Sequence, residues 1–187
     1  MLALERCTPP DSAPTASPLL DGRWSLLYTF SASDAEQATG GSGDAFGLGA
    51  AVQAASDAAY KFFYQRLPFI AGAAPAGSAL GSARATGTWQ TIDRAAKRVA
   101  NEAELELGNG TFFSVVVGGS AVAGSATRLD VQFLDFQVRL GPRDGGLSLA
   151  LPLSLIAPRG AVETTYLDQD VRIGRGDKGS VFVCARA

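Results

Sequence analysis

The amino-acid sequence predicts a mainly β fold, an antiparallel barrel of about eight strands with one helix capping or flanking it. Three observations carry that expectation. The 187 residues include 22 glycines and 9 prolines, a density of chain breakers that suits many strands joined by turns better than a helical bundle. Lys97 to Leu107 alternates, with Val99, Ala103, Leu105 and Leu107 on one face and Ala100, Glu102, Glu104 and Glu106 on the other, the period of a strand with one wet side. At the carboxyl end, two apolar-rich runs, Val162 to Ile173 and Ser180 to Ala185, flank Gly174-Arg175-Gly176-Asp177-Lys178-Gly179, whose glycines suit a tight hairpin reversal.

In chain order, residues 1–19 read as an extended lead-in rich in proline and serine, and 20–187 as a single domain. Arg23 to Phe30 opens it as a strand, with Trp24, Leu26 and Tyr28 on one face. Ser31 to Gly49 has little to bury and reads as a loop. Ala50 to Arg66 is alanine-rich, and Val52, Ala55, Ala59, Phe62 and Phe63 form a stripe at helical spacing that Pro68 terminates. Arg84 to Asp93 and Lys97 to Leu107 follow as strands, and Asn109-Gly110 turns the chain into Thr111 to Val117, since that dipeptide suits the positive-φ positions of a two-residue hairpin. Arg128 to Leu140 changes apolar phase partway: Leu129, Val131 and Phe133 share one parity, then Leu134, Phe136, Val138 and Leu140 the other. A period-2 strand needs an extra residue to do that, so a bulge or bend is expected near Phe133-Leu134. Leu147 to Ile156 is a short strand broken by Pro152, and the closing hairpin brings the count to about eight, enough for a small barrel with room for one ligand.

Composition excludes several function classes. Sixteen basic against eighteen acidic residues give a net charge of −2, too balanced for a nucleic-acid footprint. The chain has no histidine, which removes His-based triads, His-ligated metals and the usual general base near neutral pH. Cys7 and Cys184 lack metal-ligand spacing, and Cys184, inside an apolar strand, reads as a small buried hydrophobe. No apolar run reaches the ~18–20 residues of a membrane-spanning helix. No cofactor, metal site or catalytic residue is expected. Arg175-Gly176-Asp177 and Asn109-Gly110-Thr111 match adhesion and glycosylation signals, but turn chemistry explains both. Gly47-Leu48-Gly49 lacks the rest of a dinucleotide loop.

The wording ETTYLDQDVRIGRGDKGSVFV over Glu163 to Val183, together with Leu20-Asp21-Gly22-Arg23-Trp24-Ser25-Leu26-Leu27-Tyr28-Thr29, resembles the two ends of the plastid lipid-associated protein domain, the fibrillin family. The resemblance implies a lipocalin-like barrel that binds hydrophobic plastid lipids (prenylquinone, carotenoid or fatty-acyl) without catalysis, in the plastid or chloroplast: stroma, plastoglobule or thylakoid-associated. It also implies peripheral contact with plastid lipid bodies or thylakoids. Its alternative is a scaffold that stabilises a partner enzyme of prenylquinone synthesis. Plastid import implies a transit peptide, and Met1 to Arg6 does not read as one, so a leader removed from or missing ahead of this sequence is expected.

Candidate pocket-facing residues are Trp24, Leu26, Tyr28, Trp89, Phe113, Val131, Phe133 and Phe136, although a filled core would use the same types. Tyr166, Asp168, Asp170 and Arg172 share one parity and, by the family's tail motif, would orient a ligand head group. Two such aspartates invite acid–base or metal roles, with ion pairing to Arg172 or Arg159 the plainer alternative. By analogy with lipocalin-type barrels, whose first strand also opens on Gly-x-Trp, Arg172 or Arg175 would lie over Trp24 as a cation–π lid. The Phe62-Phe63-Tyr64 to Phe69-Ile70 patch would cap the barrel or meet a lipid surface, capping being preferred because Lys61 and Arg66 alone supply positive charge.

Overall fold

The computed structural model describes residues 13–31, 79–80, 83–154, 157–177 and 179–187; the helix expected over 50–66 and the patch that follows it lie outside them. The described residues form ten strands: β1 (Gly22–Ser31), β2 (Ala79–Leu80), β3 (Ala83–Asp93), β4 (Arg98–Gly108), β5 (Thr111–Ala123), β6 (Arg128–Gly141), β7 (Leu147–Pro152), β8 (Arg159–Leu167), β9 (Val171–Gly176) and β10 (Ser180–Arg186). Eight of them form a ring in the order β1-β10-β9-β8-β6-β5-β4-β3, closed where Gly22–Ser25 of β1 pairs with Trp89–Ile92 of β3. All pairings are antiparallel, and closure removes the exposed sheet edges that an open sheet would have to protect. The mainly β barrel expected from the sequence is what the chain forms.

Local chemistry sets the turns. Asn109 and Gly110 both take positive φ, 52° and 71°, as the hairpin between β4 and β5 requires. In β6 the register jumps between Gly118↔Asp135 and Gly119↔Phe133, leaving Leu134 as the extra residue at the expected place. The bulge lets β6 change partner. Arg128–Gln132 pairs with β8, whereas Asp135–Leu140 pairs with β7. There the Phe133 N–H donates to the Pro158 carbonyl and the Leu153 N–H to that of Leu134, each at 2.8 Å. Among the described residues, two larger clusters fill the interior, Leu20, Trp24, Ile92, Val99, Ala121, Leu129, Val131, Leu167 and Cys184 at the floor and Ala103, Val115, Val117, Phe136 and Leu153 along one upper side, with a smaller pair, Ala85 and Leu105, beside Phe113.

Two face assignments differ from the sequence reading. A bulge between Leu26 and Tyr28 reverses the parity of β1, so Leu26 stays inside while Tyr28 is 51% exposed on the outer face. The run Val162–Ile173 is not one arm but a hairpin, β8 turning into β9 with Leu167 opposite Arg172. Asp168 makes that turn: its Oδ1 accepts the N–H groups of Asp170 and Val171 at 2.8 and 2.6 Å, side-chain bonds that compete with a continuing strand.

Candidate ligand-binding site

The barrel floor is built from its amino-terminal end. Ser17 caps a single 3₁₀ turn, Pro18–Leu20, by accepting the Leu19 N–H, and Thr15 ties the preceding segment to the β5–β6 turn through the carbonyls of Ser125 and Ala126 at 2.8 Å each. Leu20 and Trp24 are wholly buried. The Trp24 indole N–H donates to the Leu20 carbonyl at 3.0 Å, so the ring's one polar atom is satisfied inside the plug. Arg186 stacks on the same ring with its guanidinium 3.9 Å from the centroid, and Arg172 lies 5.6 Å away. Arg186 also donates to the carbonyls of Asp21 (2.6 Å), Leu19 (2.5 Å) and Gln169 (3.2 Å), clasping the turn to the last strand. Gly22, at φ +118°, leaves the space: a Cβ there would stand 2.8 Å from an Arg186 nitrogen. The expected arginine over Trp24 is thus Arg172 in part, with Arg186 nearer. Arg175 sits farther up β9, opposite Val181, which pairs with Phe30.

Asp21 pins this floor to the β3–β4 turn, accepting from the Arg94 backbone N–H (2.8 Å), Nε (3.1 Å) and Nη2 (2.9 Å). Burial alone would raise the Asp21 pKa, but the hydrogen bonds and charge of Arg94 outweigh it and hold the carboxyl below its ordinary 3.8. The stability that this pair contributes is therefore complete above pH 3.8 and is lost as pH falls through the lowered folded value. Asp21→Asn should flatten the acid limb of a urea-midpoint-against-pH curve; an unchanged slope below pH 3.8 would remove Asp21 from the acid response.

Above the floor a hollow of about 80 Å³ opens toward the β9–β10 end, walled by Leu26, Val99, Val131, Phe133, Phe182 and other residues of β1, β3, β4, β6 and β8–β10. The hollow exists because the neighbouring strands present little there. Register places Gly160 of β8 and Gly174 and Gly176 of β9 on the inner face, beside Val131, Thr164 and Val162. Gly160 and Gly176 line the space directly, and Gly174 packs so closely that a Cβ would sit 3.0 Å from Val162 Cγ1. The lining also carries Thr88, Gln90, Asn101 and Arg172, with Asp177 near the hairpin tip.

Of the residues singled out from sequence, the structure brings Leu26, Trp89, Val131, Phe133 and Arg172 to the wall. Trp89 belongs there with its ring turned to the outer face, where Arg23 stacks at 4.4 Å and Glu102 is its cross-strand partner. Trp24 lies beneath the hollow in the floor. Phe136 belongs to the upper cluster, with Phe113 packed against it, and Tyr28 is outside. Tyr166, Asp168 and Asp170 stay together at the β8–β9 turn, and no ion pair among the described residues joins either aspartate to Arg172. The Tyr166 hydroxyl donates to Asp168 Oδ2 at 2.6 Å, and that bond, with the Val171 N–H, lowers the Asp168 pKa from 3.8. The oxygens of Asp168 are thus taken up by the turn.

Gln90, Asn101, Phe182 and Arg186 are the functional candidates that sequence reading missed. For the first two the signal was parity: Gln90 alternates with Ile92, and Asn101 with Val99 and Ala103, so both fall on an inner face. No curated protein matches the chain. The PAP_fibrillin family model matches residues 70–185, a span that runs from before β2 into β10 and holds most of the cavity wall. Ring closure, the Gly-x-Trp floor and this match agree: the chain belongs to the plastid lipid-associated protein, or fibrillin, family.

Proposed function

We propose that this barrel is a non-catalytic carrier of hydrophobic plastid lipids of prenylquinone, carotenoid or fatty-acyl type, working in the plastid at plastoglobule or thylakoid surfaces. The observation that carries the reading is the hollow itself, lined mainly by Leu26, Val99, Val131, Phe133, Ala161, Val162 and Phe182. Replacing water there by hydrocarbon gains about 25 cal/mol per Å² of apolar surface. Its volume suits a head group or a short run of chain, so most of a long ligand leaves through the mouth. Family membership supports association with plastid lipid.

A second reading, a scaffold for a partner enzyme, is favoured by one feature. β7 lies off the ring and exposes Leu147 (78%), Leu149 (59%) and Leu151 (47%) in a single row, an apolar strip of the kind that marks protein contacts. Native mass spectrometry of protein purified from plastid tissue separates the two: a bound small lipid selects the carrier, a bound synthase the scaffold.

Gly160→Leu tests the carrier directly. A Cβ at Gly160 meets only Asp177 Oδ1, at 3.8 Å, and its φ is unstrained, so the side chain enters the hollow without disturbing the wall. The expected result is loss of bound lipid by about tenfold or more with a melting temperature equal to or above that of the parent protein. Undiminished lipid uptake by a folded variant would remove the hollow from the binding reaction.

A further inference from the structure

Arg172 is an unusual side chain to find inside a barrel. It is 2% exposed, yet it belongs to none of the ion pairs among the described residues. Its Nη2 donates to Gln90 Oε1 and lies 3.9 Å from the Cys184 sulfur. Its Nε, also buried, has no hydrogen-bond partner among the described residues. The Trp24 ring offers only a distant face, 5.6 Å away, because Arg186 holds the nearer position at 3.9 Å. A buried charge without a counter-charge is costly, and an unsatisfied N–H on it adds to the cost.

The neighbouring polar groups point the same way. Gln90 Oε1 is spent on Arg172, and Gln90 Nε2 donates to Asn101 Oδ1 at 2.8 Å. That chain consumes acceptors and leaves donors, the Arg172 Nε–H and the Asn101 NH₂, on side chains that line the hollow. Asp177, the one acid among the described lining residues, follows the end of β9, five residues and about 16 Å of extended backbone from Arg172. Positive charge and donors stand at the deep end of the cavity and negative charge at its mouth.

We propose that the cavity selects an amphiphile with a carboxylate head, seated head-first so that the carboxylate meets Arg172 Nε and Asn101 while the hydrocarbon runs past Leu26, Val131, Phe133 and Phe182 toward the mouth. The proposal rests on the reading of the hollow as a lipid site and adds the head group and its direction of entry. A carboxylate supplies both the missing charge and the missing acceptors, and charge-assisted bonds of this kind are about twice as strong as neutral ones. A carbonyl head supplies acceptors without charge, and a hydrocarbon such as a carotene supplies neither.

The test uses cis-parinaric acid and its methyl ester, fluorescent probes that differ only at the head, titrated into delipidated protein. The acid is expected to bind about tenfold to a hundredfold more tightly than the ester. In Arg172→Met the acid should lose more affinity than the ester, so that the ratio between the two probes falls to near one; Arg172→Lys should recover part of that ratio. Equal binding of acid and ester by the parent protein overturns the head-group assignment and leaves the lipid site standing, and this comparison needs no variant to fold. A parallel loss of both probes in Arg172→Met likewise overturns it, assigning Arg172 to the floor. Binding of neither probe by the parent overturns the lipid site along with the proposal.

Discussion

Trp24→Ala should cost about 3–5 kcal/mol of folding stability, the range for removing a fully buried large aromatic side chain. Indole burial is only part of the effect. Trp24 also satisfies the Leu20 carbonyl and gives Arg186 its π face at 3.9 Å, so the substitution leaves a buried acceptor without its donor and a cation without its platform. Because Arg186 clasps Leu19, Asp21 and Gln169 in the same place, the floor should loosen as a unit. Urea unfolding followed by circular dichroism measures this. Trp24→Phe, which keeps most of the apolar volume but not the N–H, should fall between the two. A loss below about 1 kcal/mol for Trp24→Ala would mean that the barrel does not depend on this plug for closure.

The floor also shows which parts of the structure could be read from the sequence. Trp24 was legible because Gly-x-Trp is a local pattern opening an alternating strand. Arg186 was not, since Cys184-Ala185-Arg186-Ala187 carries no pattern, and only the antiparallel register, Trp24 opposite Arg186, brings the two together. The turn at Asp168 was masked by periodicity. Tyr166, Asp168, Asp170 and Arg172 keep even spacing through a reversal, and the Asx bonds that create it compete with the strand signal rather than interrupting it.

The cavity wall was partly legible for a different reason. The sequence offers Trp89 as a pocket-facing aromatic, whereas β3 turns Thr88 and Gln90 inward and lays Trp89 over Gly87, where an added Cβ would come within 2.4 Å of the indole. An indole covering an outward glycine buries apolar area without entering the barrel, and polar side chains inside are stable when they bond one another, as Gln90 and Asn101 do. The glycines at 174 and 176 read as turn formers, yet both lie within β9, as Gly160 lies within β8. Their role is to be small. Only pairing register separates that role from a turn.

The β6 bulge was foreseen from a phase change, and its strength can be measured at the strand beside it. Gly119→Ala should destabilise the barrel by about 2–3 kcal/mol, at the upper end of overpacking costs. A Cβ at Gly119 would stand 2.3 Å from the Gln132 carbonyl oxygen and 2.9 Å from Phe133 Cα, and backbone cannot swing aside as a side chain can. Gly118→Ala is the internal control. Its Cβ would meet the Asp135 carboxylate at 2.3 Å, but Asp135 is a surface side chain in a 3.6 Å contact with Arg98, and rotating it away should cost about 1 kcal/mol or less. If the two alanines proved equally mild, the close approach of β5 to β6 would be slack. The difference matters for the cavity because the bulge, by inserting Leu134, keeps both Phe133 and Phe136 on the inner face. Without that extra residue one of them would point outward, since a single-residue slip exchanges every side chain between faces. Lipid uptake by Gly119→Ala should therefore fall along with its stability, whereas Gly118→Ala should retain both.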